Sequence, residues 1–383
     1  MIQKILVITP EYPSEKQPYI FTFVDQLLCA VADKGIEVIV ISPYDMLKTK
    51  SIRMKMWDRK TPKGNWVKVY RPGAITLTTR KIGPINICRL SEALFKQAVQ
   101  RTIKRRDVHP NLIYAHFLFP AGTCAASIGK KMRLPSICAF GESSLWSIRE
   151  IGIDGARKRL SDLSGVVAVS TNNKNVLLEN GLICENKITV IPNAVNKNFF
   201  SPGDKIEARN SLGLPQKGII GIFNGSFSYG KGSLRVAEAS KNIKDLSMIY
   251  LGGGNDEPMG ENIIFKGRVS HTEVPTWLRA ADFFVLPTLE EGCSNALVEA
   301  MSIGLPIITS DRPFNYDILD NESALLVNPL NIDELHDAMS RMVRSETLRT
   351  NLGKASLKKS KDLDIDLRAE RIIEFAEKII AEY

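Results

Sequence analysis

Apolar residues at the start of the chain follow the pattern of a strand, a helix and a second strand. Residues 5–9 and 38–42 are largely apolar runs of strand length, as expected of parallel strands that are covered on both faces. Between them, apolar residues recur at helical spacing from Phe23 to Val31, and Gly35 marks the end of the helix. This pattern predicts one βαβ unit.

Short apolar runs continue in two series, with helix-like segments between most of them. The first series lies at residues 112–115, 135–139, 165–170 and 188–192. The second lies at residues 218–223, 247–251, 263–265, 283–286 and 306–309. Strands that alternate with helices predict the α/β fold class, with open and mostly parallel sheets.

A polar stretch that contains Pro202 and Gly203 separates the two series. We therefore predict two α/β domains, 1–197 and 198–365, and we expect the amphipathic helix at about 366–383 to pack back on the first domain. In sheets of this kind, ligands bind beyond the carboxyl ends of the strands. The sequence thus predicts a functional site in a cleft that the two domains face.

The composition is that of a folded globular protein. Of 383 residues, 44% are hydrophobic and 24% are charged, which argues against collagen-like and largely disordered proteins. No apolar stretch reaches the roughly 18 to 20 residues of a membrane-spanning helix, and the first apolar run is too short for a signal peptide, so we expect a cytoplasmic protein. Six widely spaced cysteines without a C-x-x-C pair predict reduced core residues rather than disulfides or a zinc knuckle.

Positive charge is concentrated in the first half of the chain. Residues 1–195 contain 29 Lys and Arg against 15 Asp and Glu, whereas residues 196–383 contain 22 against 27. Residues 46–106 alone hold 17 basic and two acidic side chains, interleaved with aromatic residues that include Trp57 and Trp66. Such a segment suits a solvated face, an anionic membrane surface, a phosphate-carrying acceptor or nucleic acid. Charge alone does not choose among them.

One loop and the helix after it carry the clearest chemical pattern. Residues 295–303 form the predicted helix, and Ser294 stands at its N-cap position. The free amides of the first turn, at Asn295, Ala296 and Leu297, favour an anion such as a phosphate.

Two carboxylates flank this helix start. Glu291 lies in the loop and Glu299 about one turn inside the helix, so both can point towards the same bound molecule. Carboxylates accept hydrogen bonds from hydroxyls, which suits a ribose and a sugar. A plainer interpretation stays open, in which Glu291 only neutralises the helix dipole and Glu299 is a solvated helix residue.

This segment resembles a known family. Glu291 and Glu299 match the E-x7-E signature of retaining glycosyltransferases of group 1 (GT4), of the kind found in bacterial surface polysaccharide biosynthesis. Further matches are residues 191–195, Gly225 through Gly232 and residues 281–287. The resemblance implies the GT-B fold, in which two Rossmann-like domains with mostly parallel sheets face a cleft. The first domain would take the acceptor and the second the nucleotide-sugar.

The resemblance also implies roles for individual residues. Glu299 would bind the nucleotide ribose, Glu291 would approach the donor sugar and Lys231 would neutralise the leaving group. The diphosphate would lie against the backbone of Ser294, Asn295, Ala296 and Leu297. Other donor-side candidates are Gly225, Ser226 and Arg268. His116 is a third catalytic candidate besides Glu291 and Lys231, and Gly141 and Glu142 are candidates on the acceptor side.

Some positions depart from the family pattern. Ser226 stands where the family usually has a phosphate-binding arginine. Phe140 stands where a histidine often precedes the glycine, here Gly141. The first loop, residues 13–18, lacks the usual glycine pair. These departures leave open a degenerate, weakly active member.

We therefore expect a hexosyltransferase that moves a sugar, with retention, from a UDP- or GDP-linked donor to a polyprenyl-phosphate-linked or other glycan acceptor. No compact Asp, Glu or His cluster has ligand spacing, so neither a metal nor another cofactor is expected. The basic first domain would lie peripherally at the anionic inner face of the cell membrane. No nucleic-acid recognition motif accompanies the charge. The alternatives are a GT-B nucleotide-sugar epimerase and a non-catalytic or weakly active nucleotide-sugar-binding subunit.

Overall fold

The computed structural model describes residues 1–15, 17–18, 20–46, 54–75, 81–82, 85–149 and 151–383. The chain divides into two compact units, of which unit 1 comprises residues 1–192 and 365–383 and unit 2 comprises residues 193–364. The Val195 N–H donates to the Leu363 carbonyl at 3.1 Å, which joins the segment after Pro192 to unit 2. The predicted boundary after residue 197 therefore lies a few residues too late.

Unit 1 is built on an eight-stranded sheet. The described strands of unit 1, including those of two smaller sheets, are β1 (Lys4–Ile8), β2 (Glu37–Ile41), β3 (Tyr44–Asp45), β4 (Lys55–Lys60), β5 (Trp66–Arg71), β6 (Gly73–Ala74), β7 (Lys81–Ile82), β8 (Ile85–Asn86), β9 (Leu112–His116), β10 (Ser136–Phe140), β11 (Gly165–Ala168) and β12 (Ile188–Val190). The main sheet has the order β12-β11-β10-β9-β1-β2-β5-β4, and only β4 and β5 are antiparallel neighbours. β3 pairs with β6, and β7 pairs with β8.

Burial explains most of these strands. β1, β2, β9 and β10 are apolar runs that are buried at nearly every position, as in a parallel sheet that is covered on both faces. The sequence pattern does not predict the β4–β5 hairpin, because β4 is charged at most positions and largely exposed. It forms the sheet edge, where charged side chains are common.

Unit 2 contains a six-stranded, fully parallel sheet. Its strands are β13 (Ile219–Asn224), β14 (Leu246–Leu251), β15 (Ile263–Gly267), β16 (Phe283–Leu286), β17 (Ile307–Ser310) and β18 (Ala324–Val327). The order is β15-β14-β13-β16-β17-β18, so the chain starts in the middle, builds one side and then crosses to the other. The carboxyl ends of β13 and β16 flank this switch point, the usual ligand site of such sheets.

Helices accompany both sheets. In chain order they are α1 (Thr22–Ala32), α2 (Ile87–Arg105), α3 (Thr123–Met132), α4 (Ile153–Leu160), α5 (Thr171–Glu179), α6 (Lys205–Ser211), α7 (Ser233–Ser240), α8 (Val274–Ala280), α9 (Asn295–Ile303), α10 (Ile332–Arg344), α11 (Glu346–Ser360) and α12 (Ile365–Glu382). Among the described residues, no helix is both long enough and apolar enough to cross a bilayer.

The C-terminal helix α12 belongs to unit 1 and packs against α1. Lys34 pairs with Glu370 of α12, and the Ile2 N–H donates to Glu377 at 3.3 Å. A Cβ on Gly165 would lie 2.9 Å from the Phe375 ring, so β11 and α12 approach closely because this residue is glycine. Five of the six cysteines are buried, and only Cys184 is exposed.

Candidate functional site

Two loops meet at the switch point of unit 2. The loop after β13 carries Lys231, the loop after β16 carries Glu291, and the two side chains form an ion pair. Both side chains keep part of their surface exposed, at 27% for Lys231 and 16% for Glu291. Glu291 therefore makes a specific contact with another candidate residue, which goes beyond neutralising a helix dipole.

The helix α9 begins directly after the second loop. Ser294 occupies the N-cap position and is buried, but its hydroxyl caps no helix amide, so the capping contact expected at that position is not made. The first helical bond runs from the Val298 N–H to the Ser294 carbonyl at 3.1 Å. The N–H groups of Asn295, Ala296 and Leu297 precede that bond, as an anion site at a helix N-terminus requires.

Glu299 lies buried within α9, at 7% exposure. Its Oε2 accepts from Asn224 Nδ2 at 3.4 Å, and its Oε1 lies 3.4 Å from His271 Nε2. The interpretation of Glu299 as a solvated helix residue is therefore wrong. Asn224 ends β13, so this carboxylate reaches the same edge of the sheet as Lys231.

Sequence reasoning missed His271. It lies in the loop between β15 and α8, where its ring stacks on Phe199 at a centroid distance of 5.9 Å and meets Phe200 edge-on at 5.5 Å. The signal that could have found it is its place just after a predicted strand end, close behind the candidate Arg268.

A glycine loop supports the strand ends. The Phe227 N–H donates to the Gly253 carbonyl at 3.0 Å, which ties residues 252–254 to the loop after β13. A Cβ on Gly252, at φ +150°, would lie 1.9 Å from the Gly225 carbonyl oxygen. In this loop after β14, Gly252 is required by the close backbone approach.

The remaining donor-side candidates lie nearby. The Gly225 N–H donates to the Leu251 carbonyl at 2.9 Å. Ser226 is exposed, and its hydroxyl lies 3.1 Å from the Ser228 hydroxyl. Arg268 is exposed and its side chain lies against Gly253, where an added Cβ would lie 2.7 Å from Nε. Ser226 and Arg268 are thus accessible to a ligand at the strand ends.

His116, a candidate residue of unit 1, lies buried in the core. It ends β9, is 2% exposed, and packs edge-on against Phe117 at a centroid distance of 4.8 Å. Its Nδ1 lies 3.4 Å from the Tyr114 hydroxyl. Burial, and to a lesser extent the charge of Arg368, lower the pKa of His116 to about 3. The ring is therefore neutral at pH 7, and this environment gives no support to a catalytic role.

Glu142 is likewise buried, at 4% exposure. Its Oε1 accepts from the Leu118 N–H at 2.9 Å and from the Ser147 hydroxyl at 3.1 Å. Burial raises the pKa of Glu142 to about 7 against the lowering effect of these hydrogen bonds. Its carboxylate thus ties the loop after β10 to the loop after β9. Gly141 precedes it, and a Cβ there would make ordinary contact with Val169 at 3.5 Å.

The basic segment is only partly described, because residues 47–53, 76–80 and 83–84, with Lys48 and Arg53, lie outside the described residues. On the β4–β5 hairpin, Met56 and Trp66 are 55% and 53% exposed, whereas Trp57 is half-buried. Arg106 reaches the same hairpin, with its guanidinium 3.3 Å from the Met56 sulfur. This combination of exposed apolar and basic groups suits an anionic interface.

Several cations of this segment have partners within the fold, including Arg59, Lys63, Lys68 and Arg71. Arg59 Nε donates to Asp25 at 3.3 Å, and Lys63 pairs with Asp366 at 2.9 Å. Asp25 is buried and also accepts from the Tyr12 hydroxyl at 2.6 Å. Arg59 therefore holds the hairpin to α1 rather than serving only as free surface charge.

No group of three or more His, Cys, Asp or Glu side chains has the arrangement of a metal site within the described ranges. Lys231, the first turn of α9 and the exposed Arg268 are positive groups that the site offers to an anion.

Two family models match the chain. One, described as group 1 glycosyl transferases, matches residues 219–345, and the other, described as Glycosyltransferase Family 4, matches residues 20–199. The match in the C-terminal half contains Lys231, His271, Glu291 and Glu299.

Relatives and solved structures agree with these matches. A candidate teichuronic acid biosynthesis glycosyltransferase of Bacillus subtilis, TuaC, is 27% identical over 356 residues, or 88% of each chain. The Escherichia coli UDP-Gal:α-D-GlcNAc-diphosphoundecaprenol α-1,3-galactosyltransferase is 29% identical over 203 residues, or 48% of this chain and 52% of that enzyme. Sucrose-phosphate synthase from Thermosynechococcus elongatus shares the fold with a TM-score of 0.80 at 18% identity, covering 100% of both chains.

Proposed function

Because the chain is a glycosyltransferase of the group 1, family 4 type with the GT-B fold, we propose that it moves a hexosyl group, with retention, from a UDP- or GDP-linked donor to a polyprenyl-phosphate-linked glycan. The predicted family, fold class and hexosyltransferase activity are confirmed. The observation that carries the donor assignment is the placement of Lys231, Glu291 and Glu299 around one edge of the unit 2 sheet.

The chemistry of transfer accounts for the charges at this edge. Cleavage of a nucleoside diphosphate sugar develops positive charge on the sugar ring and negative charge on the departing phosphate. Fixed donors and a cation at the phosphate lower that barrier. Lys231 and the first turn of α9 would supply these groups, so we propose that the reaction needs no metal ion.

The donor nucleoside would lie with its ribose at Glu299 of α9. Glu299 would accept hydrogen bonds from ribose hydroxyls, and Asn224 and His271 would hold its carboxylate from both sides. Glu291 would face the sugar once the diphosphate competes for Lys231. Arg268 is the exposed cation closest in sequence to His271, and would reach the nucleotide from the loop after β15.

The acceptor assignment rests on the names of the relatives. One acts on a diphosphoundecaprenol-linked sugar and another is a candidate enzyme of teichuronic acid synthesis. We propose a lipid-linked glycan of the cell surface, reached from the inner face of the cell membrane. The exposed Trp66 and Met56 and the basic side chains of unit 1 would contact the anionic leaflet.

Binding and transfer assays test this proposal. UDP- and GDP-sugars should raise the unfolding temperature in a thermal-shift series, because a ligand at 100 times its Kd stabilises the folded state by about 2.7 kcal/mol. The donor that binds should then label a polyprenyl-diphosphate-linked acceptor, and NMR of the product should show the anomeric configuration of the donor. Donor turnover without acceptor would favour the epimerase alternative, and binding without turnover would favour the non-catalytic one.

A further inference from the structure

A buried arginine lies beneath the two loops of the candidate site. Arg235 belongs to the first turn of α7 and is 9% exposed. Its Nη1 donates to the Tyr229 carbonyl at 2.7 Å, and its Nη2 donates to the Pro287 carbonyl at 2.8 Å. One guanidinium thus joins the loop after β13 to the loop after β16.

These loops carry the residues of the leaving-group side. Lys231 and Glu291 lie a few positions beyond the two bound carbonyls, and their ion pair spans the same gap. The Leu289 N–H also donates to the Gly230 carbonyl at 2.8 Å. The spacing between Lys231 and Glu291 is therefore set by the contacts that join the loops.

Gly232 makes the arginine's position possible. Its backbone is left-handed, with φ +82°, and it precedes the first residue of α7. A Cβ at this position would lie 2.6 Å from Arg235 Nη2 and 3.0 Å from the Pro287 carbonyl oxygen. Glycine is required here both by the backbone conformation and by the space that the guanidinium fills.

Within the described residues, Arg235 has no carboxylate partner. It lies over the Tyr229 ring, with 5.2 Å from the guanidinium carbon to the ring centroid. Burying a cation without a counter-charge costs free energy, so packing alone would favour an apolar side chain at this position of the helix. The contacts that offset this cost are those to the two loops.

We infer that Arg235 is a positioning residue for the donor diphosphate. It holds the Lys231 and Glu291 loops at a fixed spacing, so that Lys231 meets the β-phosphate without reorganisation. The planar guanidinium donates to the two carbonyls from two separate nitrogens at a fixed spacing, which neither Lys nor Met can do. This inference rests on the proposed function, because it assumes that Lys231 binds phosphate.

The test compares UDP with UMP, which lacks the β-phosphate, by isothermal titration calorimetry; GDP and GMP are measured in the same way. Wild type should prefer the diphosphate. In Arg235→Met we expect this preference to fall roughly ten- to hundredfold, the size of a lost hydrogen bond to a charged group. UMP affinity should change less than about twofold, because UMP lacks the β-phosphate that Lys231 is proposed to contact. Arg235→Lys, which keeps the charge, should show an intermediate loss.

Arg349 provides the matched control. Its Nη1 donates to the Val343 carbonyl at 3.2 Å and also to the Met342 carbonyl, so it holds the end of α10 rather than the two loops. Arg349→Met should leave the preference for UDP over UMP unchanged. The inference is overturned if Arg235→Lys prefers UDP over UMP as strongly as wild type does. It is also overturned if Arg349→Met loses as much of this preference as Arg235→Met does. A wild type that binds UDP no better than UMP contradicts the phosphate role of Lys231, and with it the proposed function.

Discussion

The candidate residues of unit 2 and those of unit 1 have different surroundings. In unit 2, Lys231 and Glu291 are partly exposed and contact each other, so a ligand can compete for both. In unit 1, His116 and Glu142 are buried and bond to their own neighbours. Both sets follow parallel strands, as the sequence predicts. The comparison shows that place in the topology marks a possible site, whereas the partly exposed ion pair of Lys231 and Glu291 leaves these two side chains available to a ligand.

The units also differ in charge, and this difference gives the largest expected effect. Reversing Lys55, Lys60, Arg101 and Lys104 to Glu should weaken binding to anionic vesicles by roughly a thousandfold, because each basic group near an anionic leaflet contributes about 1 kcal/mol. Co-sedimentation at low salt with anionic and with zwitterionic vesicles measures this. Arg59 and Lys63 are left unchanged because they bond to Asp25 and Asp366.

The control for the charge reversal comes from unit 2. It reverses four exposed lysines there, namely Lys217, Lys244, Lys354 and Lys358. That variant should bind anionic vesicles as wild type does. If both reversals reduce binding equally, or if wild type ignores anionic vesicles, the acceptor is not reached through unit 1 at a membrane.

Lys231→Ala should have the largest effect on turnover. Removing one positioned donor from the charge that develops in a transition state costs roughly a hundred- to a thousandfold in kcat. A transfer assay at saturating donor measures it, with Lys241→Ala as the control, since Lys241 pairs with Glu238 on the surface. Unchanged turnover in Lys231→Ala would remove this residue from the mechanism.

The buried Glu142 of unit 1 should make the stability of the protein depend on pH. Its pKa is about 7 in the folded protein and near the ordinary 4.5 when unfolded, so the folded state holds the proton over that range. Stability should therefore fall as pH rises from about 4.5 to 7, by about 3 kcal/mol in all. Unfolding midpoints at pH 5 and pH 8 should differ less in Glu142→Gln than in wild type. The control is Glu261→Gln, at an exposed position, which should keep the wild-type difference between the two midpoints. If the midpoint of Glu142→Gln changes with pH as much as that of wild type, Glu142 is not the group responsible.

Glu299→Ala tests the ribose contact. We expect a loss of about 1 to 3 kcal/mol in UDP binding, the value of hydrogen bonds to a charged acceptor. The 2′,3′-dideoxy analogue of UDP should bind the variant and wild type alike, because it has no ribose hydroxyls to donate. Equal UDP affinity in both proteins would show that the ribose lies elsewhere.

His271→Phe should give the smallest change. The ring keeps its stacking on Phe199 but loses the contact to Glu299, so UDP binding should weaken by about 1 kcal/mol. The effect should vanish with the dideoxy analogue if His271 acts through the Glu299 carboxylate, which is proposed to bind the ribose. His336→Phe is the matched control, since His336 bonds to the Ala239 carbonyl at 2.8 Å. A loss that is equal for both nucleotides would make His271 a base contact instead.

Apolar runs that alternate with helix-like segments are enough to predict the α/β class and the positions of most central strands. This is because buried parallel strands are continuous apolar stretches of sequence. They could not predict the β4–β5 hairpin, where the chain is charged. For the site, the spacing between a glutamate in the loop and a glutamate in the helix after it predicts Glu291 and Glu299. Arg235 and His271 gave no such signal, because their contacts join segments far apart in sequence: Arg235 reaches Pro287, and His271 reaches Glu299.

A crystal structure of the protein with UDP tests the central claim most directly. The account predicts UDP at the switch point of unit 2, with its ribose hydroxyls within hydrogen-bond distance of the Glu299 carboxylate. The β-phosphate should contact Lys231 Nζ and the N–H groups at the start of α9. UDP bound to unit 1, or bound to unit 2 without contact to Glu299 and Lys231, would contradict it.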